Sequence, residues 1–427
     1  MYRIIFLVIA VIMYLYNKKH KRKLHVGILH SLSDKVMSKV EKPLADLLMA
    51  GIKYFNKSQD NYEIIPHIYD TKGDNTLFKK YSEILCKDPK IILIFGCWTS
   101  SSRKTVLPIV EKYNQLLFYP IQYEGMECSK NIFYFGACPN QQIAVGIEYA
   151  IKNLNSKLYL IGSDYVFPRT ANEIVKQYIK KYNATLLNEI YVSMDELNFD
   201  KISSDIITKY PDGCLIVNTI NGASNKAFFE TLYNKYIITN SDKILFHDKY
   251  KIISFSIPEP QNFDIDTASL FNSYAVWNFV QSETIDEEKN KLPQHNILKG
   301  LTDLFLNLNY VVGDPEFHSF LSFYYFIYFI LTFNNTNNHD PLYLRNKIKH
   351  HINFEFKFKH KTFKIKENNH LEQPVFIVQI DKNRRYNIIY KTPGNITPNP
   401  WLIPFTTQTK YACDNSIKFL GSKYIIN

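Results

Sequence analysis

The sequence predicts an α/β protein in which parallel sheets are covered by helices on both faces. Short apolar strand patterns alternate with amphipathic helix patterns through the first half of the 427-residue chain. This alternation is typical of parallel sheets, because neighbouring parallel strands need a crossover helix between them. A hydrophobic content of 46% with regular apolar periodicity predicts a large core, and the length favours two domains.

The predicted elements follow one another in a regular order. The strand patterns lie at 24–29, 62–69, 91–95, 116–119, 158–161, 185–192 and 213–217. The helix patterns lie at 42–54, 77–85, 104–113, 141–153, 169–182, 201–209 and 225–233. In the first helix Leu44, Leu48 and Ile52 fall on one face. Residues 317–333 form an apolar helix that we expect to be buried in the core, because it is shorter than the roughly 20 residues of a membrane span.

Polar and aromatic side chains follow two successive strands, within residues 96–125. Beyond the strand at 91–95 come Trp98, Thr99, Ser100, Ser101 and Ser102, and at and beyond the strand at 116–119 come Tyr119, Gln122, Tyr123 and Glu124. In an open parallel sheet, ligands bind beyond the carboxyl ends of the strands. Hydroxyls, an amide and aromatic faces suit a small, neutral, polar ligand. They do not suit a phosphate, and they include no obvious catalytic base.

This segment resembles the urea and short-chain-amide binding proteins of ABC transport systems, within the branched-chain amino-acid receptor superfamily. Further motifs carry the resemblance: Gly162-Ser163-Asp164-Tyr165-Val166-Phe167-Pro168-Arg169, Asn218-Thr219-Ile220-Asn221-Gly222, Ser254-Phe255-Ser256-Ile257-Pro258-Glu259, Tyr274-Ala275-Val276-Trp277-Asn278 and Asn369-His370. Each of the first three follows a strand pattern. The resemblance covers roughly residues 24–402.

The resemblance, and not the periodicity, implies two Rossmann-like lobes joined by three crossovers, the type I periplasmic-binding-protein fold. The first lobe would comprise residues 24–136 and 284–352, and the second 137–283 and 353–402. Residues 403–427 would be a C-terminal extension outside the family pattern. The implied function is non-catalytic: the lobes close on urea or a short amide and deliver it to an ABC permease. The alternatives are a membrane-anchored or cytoplasmic amide-sensing regulatory protein and a diverged homologue with an altered ligand.

The resemblance also implies a set of ligand-binding residues. Thr99 and Ser100 would offer hydroxyl and backbone N–H groups at a helix start, or would simply cap that helix. The remaining candidates are Trp98 and Tyr165 as aromatic walls, Tyr119, Gln122 and Tyr123 as hydrogen-bonding groups, Asn218 and Ser256, and Glu259 as an acceptor for an NH₂ group. For each of them the alternative is an ordinary structural role.

Several positions depart from the family pattern. Ala223 stands where the family has a carboxylate, and Phe317 and Phe320 stand where it has Glu and Tyr. The usual Ser-Gly-Thr after the first strand is Ser33-Asp34-Lys35. These changes keep the altered ligand open as an alternative.

No sequence pattern points to a cofactor, a metal or an enzyme. The six cysteines form no CxxC pair, and neither a phosphate loop nor a dinucleotide fingerprint is present. A thiol amidase using Cys97 or Cys128 is the catalytic alternative, but no histidine lies near either in sequence. We expect buried free thiols; the alternative is a Cys97–Cys128 disulfide in an oxidising compartment.

The N-terminus predicts contact with a membrane. Residues 4–16 are almost wholly apolar, and a basic run at 18–23 follows them. We interpret residues 1–23 as an uncleaved membrane anchor, with a signal peptide of a secreted or periplasmic protein and a buried or disordered leader as alternatives. The basic flank predicts a cytosolic location for residues 24 onward. The net charge of +11 is scattered, without the basic groove that nucleic-acid binding needs.

Overall fold

The computed structural model describes residues 21–240, 243–284, 295–333, 340–351, 353–359 and 361–402. The anchor expected at 1–23 therefore lies outside the described residues, except that the first strand begins at Arg22. The extension at 403–427 lies outside them as well. Among the described helices, none combines the length and the apolar character that a membrane crossing requires.

The elements alternate as the sequence predicts. In the described ranges the strands are β1 (Arg22–His30), β2 (Tyr62–Asp70), β3 (Ile91–Gly96), β4 (Leu117–Tyr119), β5 (Ile132–Tyr134), β6 (Lys157–Ser163), β7 (Thr185–Val192), β8 (Cys214–Thr219), β9 (Tyr250–Ser254), β10 (Tyr274–Trp277), β11 (Phe354–Phe358), β12 (Lys361–Ile365), β13 (Leu371–Glu372), β14 (Phe376–Ile380) and β15 (Tyr386–Lys391). The helices are α1 (Ser38–Ser58), α2 (Asn75–Lys87), α3 (Ser100–Lys112), α4 (Ile143–Asn153), α5 (Val166–Lys181), α6 (Asp200–Lys209), α7 (Ser224–Asn240), α8 (Lys243–Lys249), α9 (Thr267–Leu270), α10 (Asn296–Leu306), α11 (Asp314–Phe333) and α12 (Pro341–His350).

Two sheets form two lobes. The first lobe has a five-stranded parallel sheet in the order β2-β1-β3-β4-β5. The second has a seven-stranded sheet in the order β15-β14-β10-β9-β8-β6-β7, in which only β14 and β15 run antiparallel to their neighbours. The predicted fold class, α/β with two lobes built on parallel sheets, is confirmed. The antiparallel pair at one edge was not predicted.

Helix α11 occupies the centre of the first lobe's core. Tyr324, Tyr325 and Phe326 are consecutive, so they point to different sides of the helix, and each is fully buried. The helix packs against α1, the first sheet and the strand β11. A helix that is apolar all round is stable only when it is covered all round, and the prediction of a core helix at 317–333 is confirmed.

A buried hydrogen-bond network joins the three segments that pass between the lobes. The Asn278 side chain donates to the carbonyl of Gln141 at 3.0 Å and to that of Pro374 at 2.7 Å, so one amide ties the first, second and third passages together. The backbone N–H groups of Asn278 and Phe279 donate to Asp314 at 2.9 and 2.8 Å. These buried hydrogen bonds hold the passages together at what we call the hinge, although the side-chain oxygen of Asn278 has no partner among the described residues.

The hairpin β11–β12 packs in the first lobe. Phe356, Phe358 and Phe363 belong to the same buried cluster as Phe317 of α11. The boundary expected at residue 353 assigned this hairpin to the second lobe. The packing favours a boundary near residue 373, where the chain leaves β13 for β14.

The cysteines of the described ranges divide into two groups. Cys86, Cys97, Cys138 and Cys214 are buried free thiols, as expected. Cys128 is held in a disulfide bond. The expected alternative of a Cys97–Cys128 pair is wrong, because the Cys97 thiol is free.

Candidate functional site

The loops after β3 and β4 meet at the carboxyl edge of the first sheet, as their order predicts. The Tyr119 hydroxyl at the end of β4 donates to the carbonyl of Trp98, which follows β3, at 2.7 Å. Trp98 packs among the buried residues of this lobe. The two segments singled out in the sequence are thus in direct contact.

Helix α3 begins four residues earlier than the sequence predicts, at Ser100. Thr99 is its N-cap, and the Thr99 hydroxyl accepts from the backbone N–H of Ser102 at 3.0 Å. Such a cap satisfies one of the free N–H groups in the first turn. Thr99 therefore caps the helix, which was the structural alternative to ligand binding in the sequence analysis.

Ser100 lies in a buried charged cluster that sequence reasoning missed, which we call the Arg103 cluster. Its charged members are Arg103, Lys104, Glu124 and Glu127. The Ser100 hydroxyl donates to Glu124 and accepts from Arg103 at 3.2 Å. Arg103 also donates to Glu124 at 2.9 Å and to Glu127 at 2.8 Å. The Ser100 hydroxyl is consequently occupied by neighbours in the same lobe.

The charges of the Arg103 cluster balance, with two cations against two carboxylates. Burial alone would raise the pKa of the Glu127 carboxyl, but Arg103 and Lys104 lower it to about 2. Burial alone would lower the pKa of Arg103, whereas Glu127 and Glu124 hold it above its usual value. Arg103 and Glu127 are therefore both charged at neutral pH.

Tyr119 and Tyr123 both pack their rings against the Arg103 guanidinium. The ring centroids lie 5.0 and 4.5 Å from it. The Tyr123 hydroxyl lies 2.9 Å from the backbone carbonyl of Glu127 and 2.5 Å from the ring nitrogen Nε2 of His370, and its single hydrogen can be donated to only one of them. Burial lowers the pKa of His370 to about 3, so the ring is neutral and Nε2 can accept. Both tyrosines support the cluster from within the first lobe.

Gly125 fixes the loop that brings Glu124 and Glu127 to the cluster. Its φ of +73° is in the left-handed region, and a Cβ atom there would lie 2.5 Å from the carbonyl of Pro400. A side chain at this position would be both strained and obstructed. Glycine is thus required for the close approach of these two segments.

Gln122 reaches from the first lobe to the second. Its Nε2 donates to the carbonyl of Phe255, at a long 3.4 Å, while its Oε1 is buried without a hydrogen-bond partner among the described residues. A buried acceptor without a partner costs about 1–3 kcal/mol. A ligand N–H group between the lobes would satisfy it.

Tyr165 approaches the same region from the second lobe. It precedes α5, which contacts α3 across the cleft. Burial raises the pKa of its phenol far above the usual value, and the nearby Tyr119 and Glu124 raise it further. Among the described side chains none makes a hydrogen bond to this hydroxyl. Tyr165 and Gln122 are the two candidates that present unpartnered polar atoms between the lobes.

Asn218 and Ser256 serve the second lobe internally. The Asn218 amide donates to Asn225 at 2.9 Å and to Ser254 at 2.8 Å, and its oxygen accepts from the N–H of Ile220 at 2.9 Å. The Ser256 hydroxyl donates to the carbonyl of Ile220. Both side chains hold the loop after β8 in shape and present no free donor.

Glu259 is buried in the second lobe beside β15. One carboxylate oxygen accepts from the N–H of Tyr386 at 3.3 Å, and the other is buried without a partner in the described structure. Arg385 is 3.8 Å away. Burial raises the pKa of Glu259 to about 7. At neutral pH the carboxyl is therefore partly protonated, and it could donate a hydrogen bond as well as accept one.

We expect Glu259→Gln to stabilise the protein at alkaline pH. A folded-state pKa above the unfolded value means that wild-type stability is complete below about pH 4.5 and is lost as the pH rises through about 7. The variant has no charge to bury, so urea denaturation should show a gain of roughly 2–3 kcal/mol at pH 8.5. At pH 4.5 the two proteins should be equally stable. A gain of the same size at both pH values would contradict this explanation.

One feature of the sequence could have revealed Arg103. It lies three and seven residues before Val106 and Val110, so it falls on the apolar stripe of α3 that faces the core. A buried arginine requires a carboxylate partner. The partners come from a loop that the sequence does not connect to this helix.

In the described part of the chain, no group of three or more His, Cys, Asp or Glu side chains could hold a metal ion.

The fold is similar to those of known solute-binding proteins. A periplasmic binding protein from Burkholderia mallei aligns with a TM-score of 0.71 at 9% identity, over 93% of this chain and 100% of that one. An amino-acid ABC transporter substrate-binding protein from Pseudomonas fluorescens aligns with a TM-score of 0.68 at 13% identity, over 89% and 97%. A solute-binding protein of Rhodopseudomonas palustris in complex with benzoate aligns with a TM-score of 0.69 at 12% identity, over 88% and 97%.

At such low identities the likeness establishes the fold alone. The family is established independently by the sequence model of the periplasmic binding protein domain, which matches residues 24–407. The two lobes, their parallel sheets and the passages between them agree with this match. The chain belongs to the periplasmic binding protein family.

Proposed function

We propose that the protein is a solute-binding protein whose lobes close on a small uncharged ligand of the urea or short-chain-amide class, for delivery to an ABC permease. The observation that carries the proposal is the contrast between paired charges and unpaired neutral groups at the cleft. The charged side chains there have partners within the protein, whereas Gln122 retains a buried neutral oxygen without one, and the hydroxyl of the half-buried Tyr165 makes no hydrogen bond to a described side chain.

The pairing of charges supports an uncharged ligand. Arg103 is bound by Glu124 and Glu127, and Arg169 at the start of α5 pairs with Asp164 at 2.6 Å. A charged ligand needs a counter-ion when it leaves water. Since these cations already have carboxylate partners, a neutral ligand is the better fit.

The unpaired atoms support a ligand that both donates and accepts. The Gln122 Oε1 atom can only accept, so it requires a ligand N–H group. The Tyr165 hydroxyl can donate to a carbonyl oxygen. An amide or urea carries both groups on adjacent atoms.

The disulfide supports a location outside the cytosol. Disulfide bonds persist in oxidising compartments. This favours a secreted or periplasmic transport receptor over a cytosol-facing amide sensor, in contrast to the topology that the basic residues at 18–23 suggest. It also weighs against a thiol amidase, because Cys128 has no free thiol and burial raises the pKa of the Cys97 thiol far above its usual value.

Calorimetric titration of the full chain with urea, acetamide, formamide and leucine tests the proposal. We expect saturable binding of urea or a short amide and none of leucine. Gln122→Leu and Tyr165→Phe should each weaken that binding about 10- to 100-fold, because each leaves one ligand group unpaired in the closed cleft.

Gln177→Leu is the matched control. Gln177 lies on α5, downstream of Tyr165, and its side chain makes no hydrogen bond within the described structure. The Gln177→Leu variant should bind the ligands with the same affinity as the wild type. The amide assignment falls if the wild type binds leucine in preference to the neutral ligands, or binds none of the four.

A further inference from the structure

Ser100 and Arg103 together form a site that fits a carboxylate. Both lie on one face of the first turn of α3, where free backbone N–H groups add positive potential. Arg103 is fully buried and Ser100 is 3% exposed. A guanidinium and a hydroxyl converging on one point bind a carboxylate through two charge-assisted hydrogen bonds.

The carboxylate in that site belongs to the protein itself. Glu124 is 1% exposed, and each of its oxygens has a partner. One oxygen accepts from Arg103 at 2.9 Å and lies 3.7 Å from Lys104, and the other accepts from Ser100. Glu124 comes from the loop beyond β4 and so enters the site from another segment of the chain, as a ligand carboxylate would.

The site lies near the second lobe. Helix α3, which carries Ser100 and Arg103, contacts α5 of the second lobe, and Gln122, two residues before Glu124, donates to the carbonyl of Phe255 in that lobe. The charge of the Glu124 carboxylate also raises the pKa of the Tyr165 phenol. A carboxylate ligand held between the lobes would meet Glu124 and find Arg103 already paired. It would lose its hydration without gaining a counter-ion, and it would be repelled by the like charge. An amide of the same shape has no such cost.

We propose that Glu124 determines specificity by occupying the Ser100–Arg103 site itself, so that the cleft accepts neutral amides and rejects the matching carboxylates. The inference rests on the proposed function for the identity of the neutral ligand. The built-in carboxylate can be tested separately.

Two pairs of ligands of the same shape test the selectivity in the wild-type protein, where folding is not in question. Acetamide is compared with acetate, and benzamide with benzoate, by calorimetry at pH 7.5. For any pair that binds, we expect the protein to bind the amide about 100-fold or more tightly than the matching carboxylate. Equal affinity within a pair, or preference for the carboxylate, would overturn the inference while leaving solute binding itself intact.

Glu124→Ala tests the site directly, because the atoms removed correspond to one acetate ion. Acetate should bind this variant and raise its melting temperature, with no such effect on the wild type. Glu124→Gln is the matched control. It removes the charge, but its side chain fills the space that acetate would occupy, so acetate should not bind this variant. Circular dichroism before titration verifies that both variants are folded.

The outcomes separate the two proposals. If the wild type binds no amide but acetate binds Glu124→Ala, the proposed function fails and the built-in carboxylate stands. If the wild type binds amides but acetate does not bind folded Glu124→Ala, the function stands and this inference fails. If Glu124→Ala does not fold even in acetate, the selectivity of the wild type within the two ligand pairs decides.

Discussion

Arg103→Ala is expected to destabilise the protein by about 3–5 kcal/mol, because it leaves two buried carboxylates without their main partner. Glu124 and Glu127 are 1% and 5% exposed, so water cannot replace the guanidinium. The lost stacking on Tyr119 and Tyr123 adds to the effect. Urea denaturation at pH 7.5 measures the change.

Lys104→Ala is the control for this prediction. Lys104 pairs with the same carboxylates at 3.7 and 3.1 Å, but its side chain is 29% exposed. A partly solvated pair contributes about 1 kcal/mol or less. If the two variants lost equal stability, the idea that burial makes Arg103 decisive would be wrong. Arg103→Ala should also change how stability depends on pH. Glu127 would lose the cation that lowers its pKa, so burial would raise the pKa of this carboxyl.

Asp314→Ala is expected to weaken the hinge, with a loss of about 3–5 kcal/mol at pH 6. The substitution leaves the N–H groups of Asn278 and Phe279 without an acceptor and removes the partner of His318, which lies 2.9 Å away. All of these groups are buried. The lobes should also close less tightly on a ligand, because Asn278 orders the three passages between them.

The stability lost in Asp314→Ala should decrease as the pH rises. Burial alone would lower the pKa of His318, but the Asp314 carboxylate raises it above the usual 6.5. A raised folded-state pKa gives stability that is complete below 6.5 and is lost as the pH rises through the raised value. The effect of Asp314→Ala should therefore be larger at pH 6 than at pH 9. An undiminished loss at pH 9 would show that His318 is not charged in the native state.

Asp303→Ala on the neighbouring helix α10 is the control for the hinge variant. Asp303 is half-buried and makes no ion pair with the described residues. A substitution away from buried networks changes stability by about 0.5 kcal/mol or less. Its denaturation midpoint should stay near that of the wild type at both pH values.

The alternation of strands and helices could be predicted because it depends on local periodicity. The strand at 91–95 and the helix at 317–333 have apolar patterns that admit few alternatives, and both are found as β3 and α11. The position of polar residues beyond β3 and β4 follows from the direction of parallel strands. The hairpin β11–β12 also has a regular alternation, with Phe356, Phe358 and Phe363 buried. That alternation does not say which lobe it covers.

The candidate site was predicted only in part. Gln122 contacts the second lobe through the carbonyl of Phe255, and Tyr165 precedes the helix that contacts α3, whereas the described contacts of Trp98 lie within the first lobe. Ser100 and Asn218 were expected to contact a ligand, yet their polar atoms are bound by neighbours in their own lobe. The sequence shows which groups can form hydrogen bonds, but the partners of a buried group are chosen by the packing.

The sequence by itself determined the fold class, the order of the elements and the edge of the sheet at which the polar loops gather. Those properties arise from neighbours a few residues apart. Only the tertiary structure decided that Arg103 is buried against Glu124, that Tyr123 meets His370 across 247 positions, and that Asn278 ties three passages together. A charge can be buried only where a partner from another segment compensates its lost hydration, and that pairing exists only once the chain has folded.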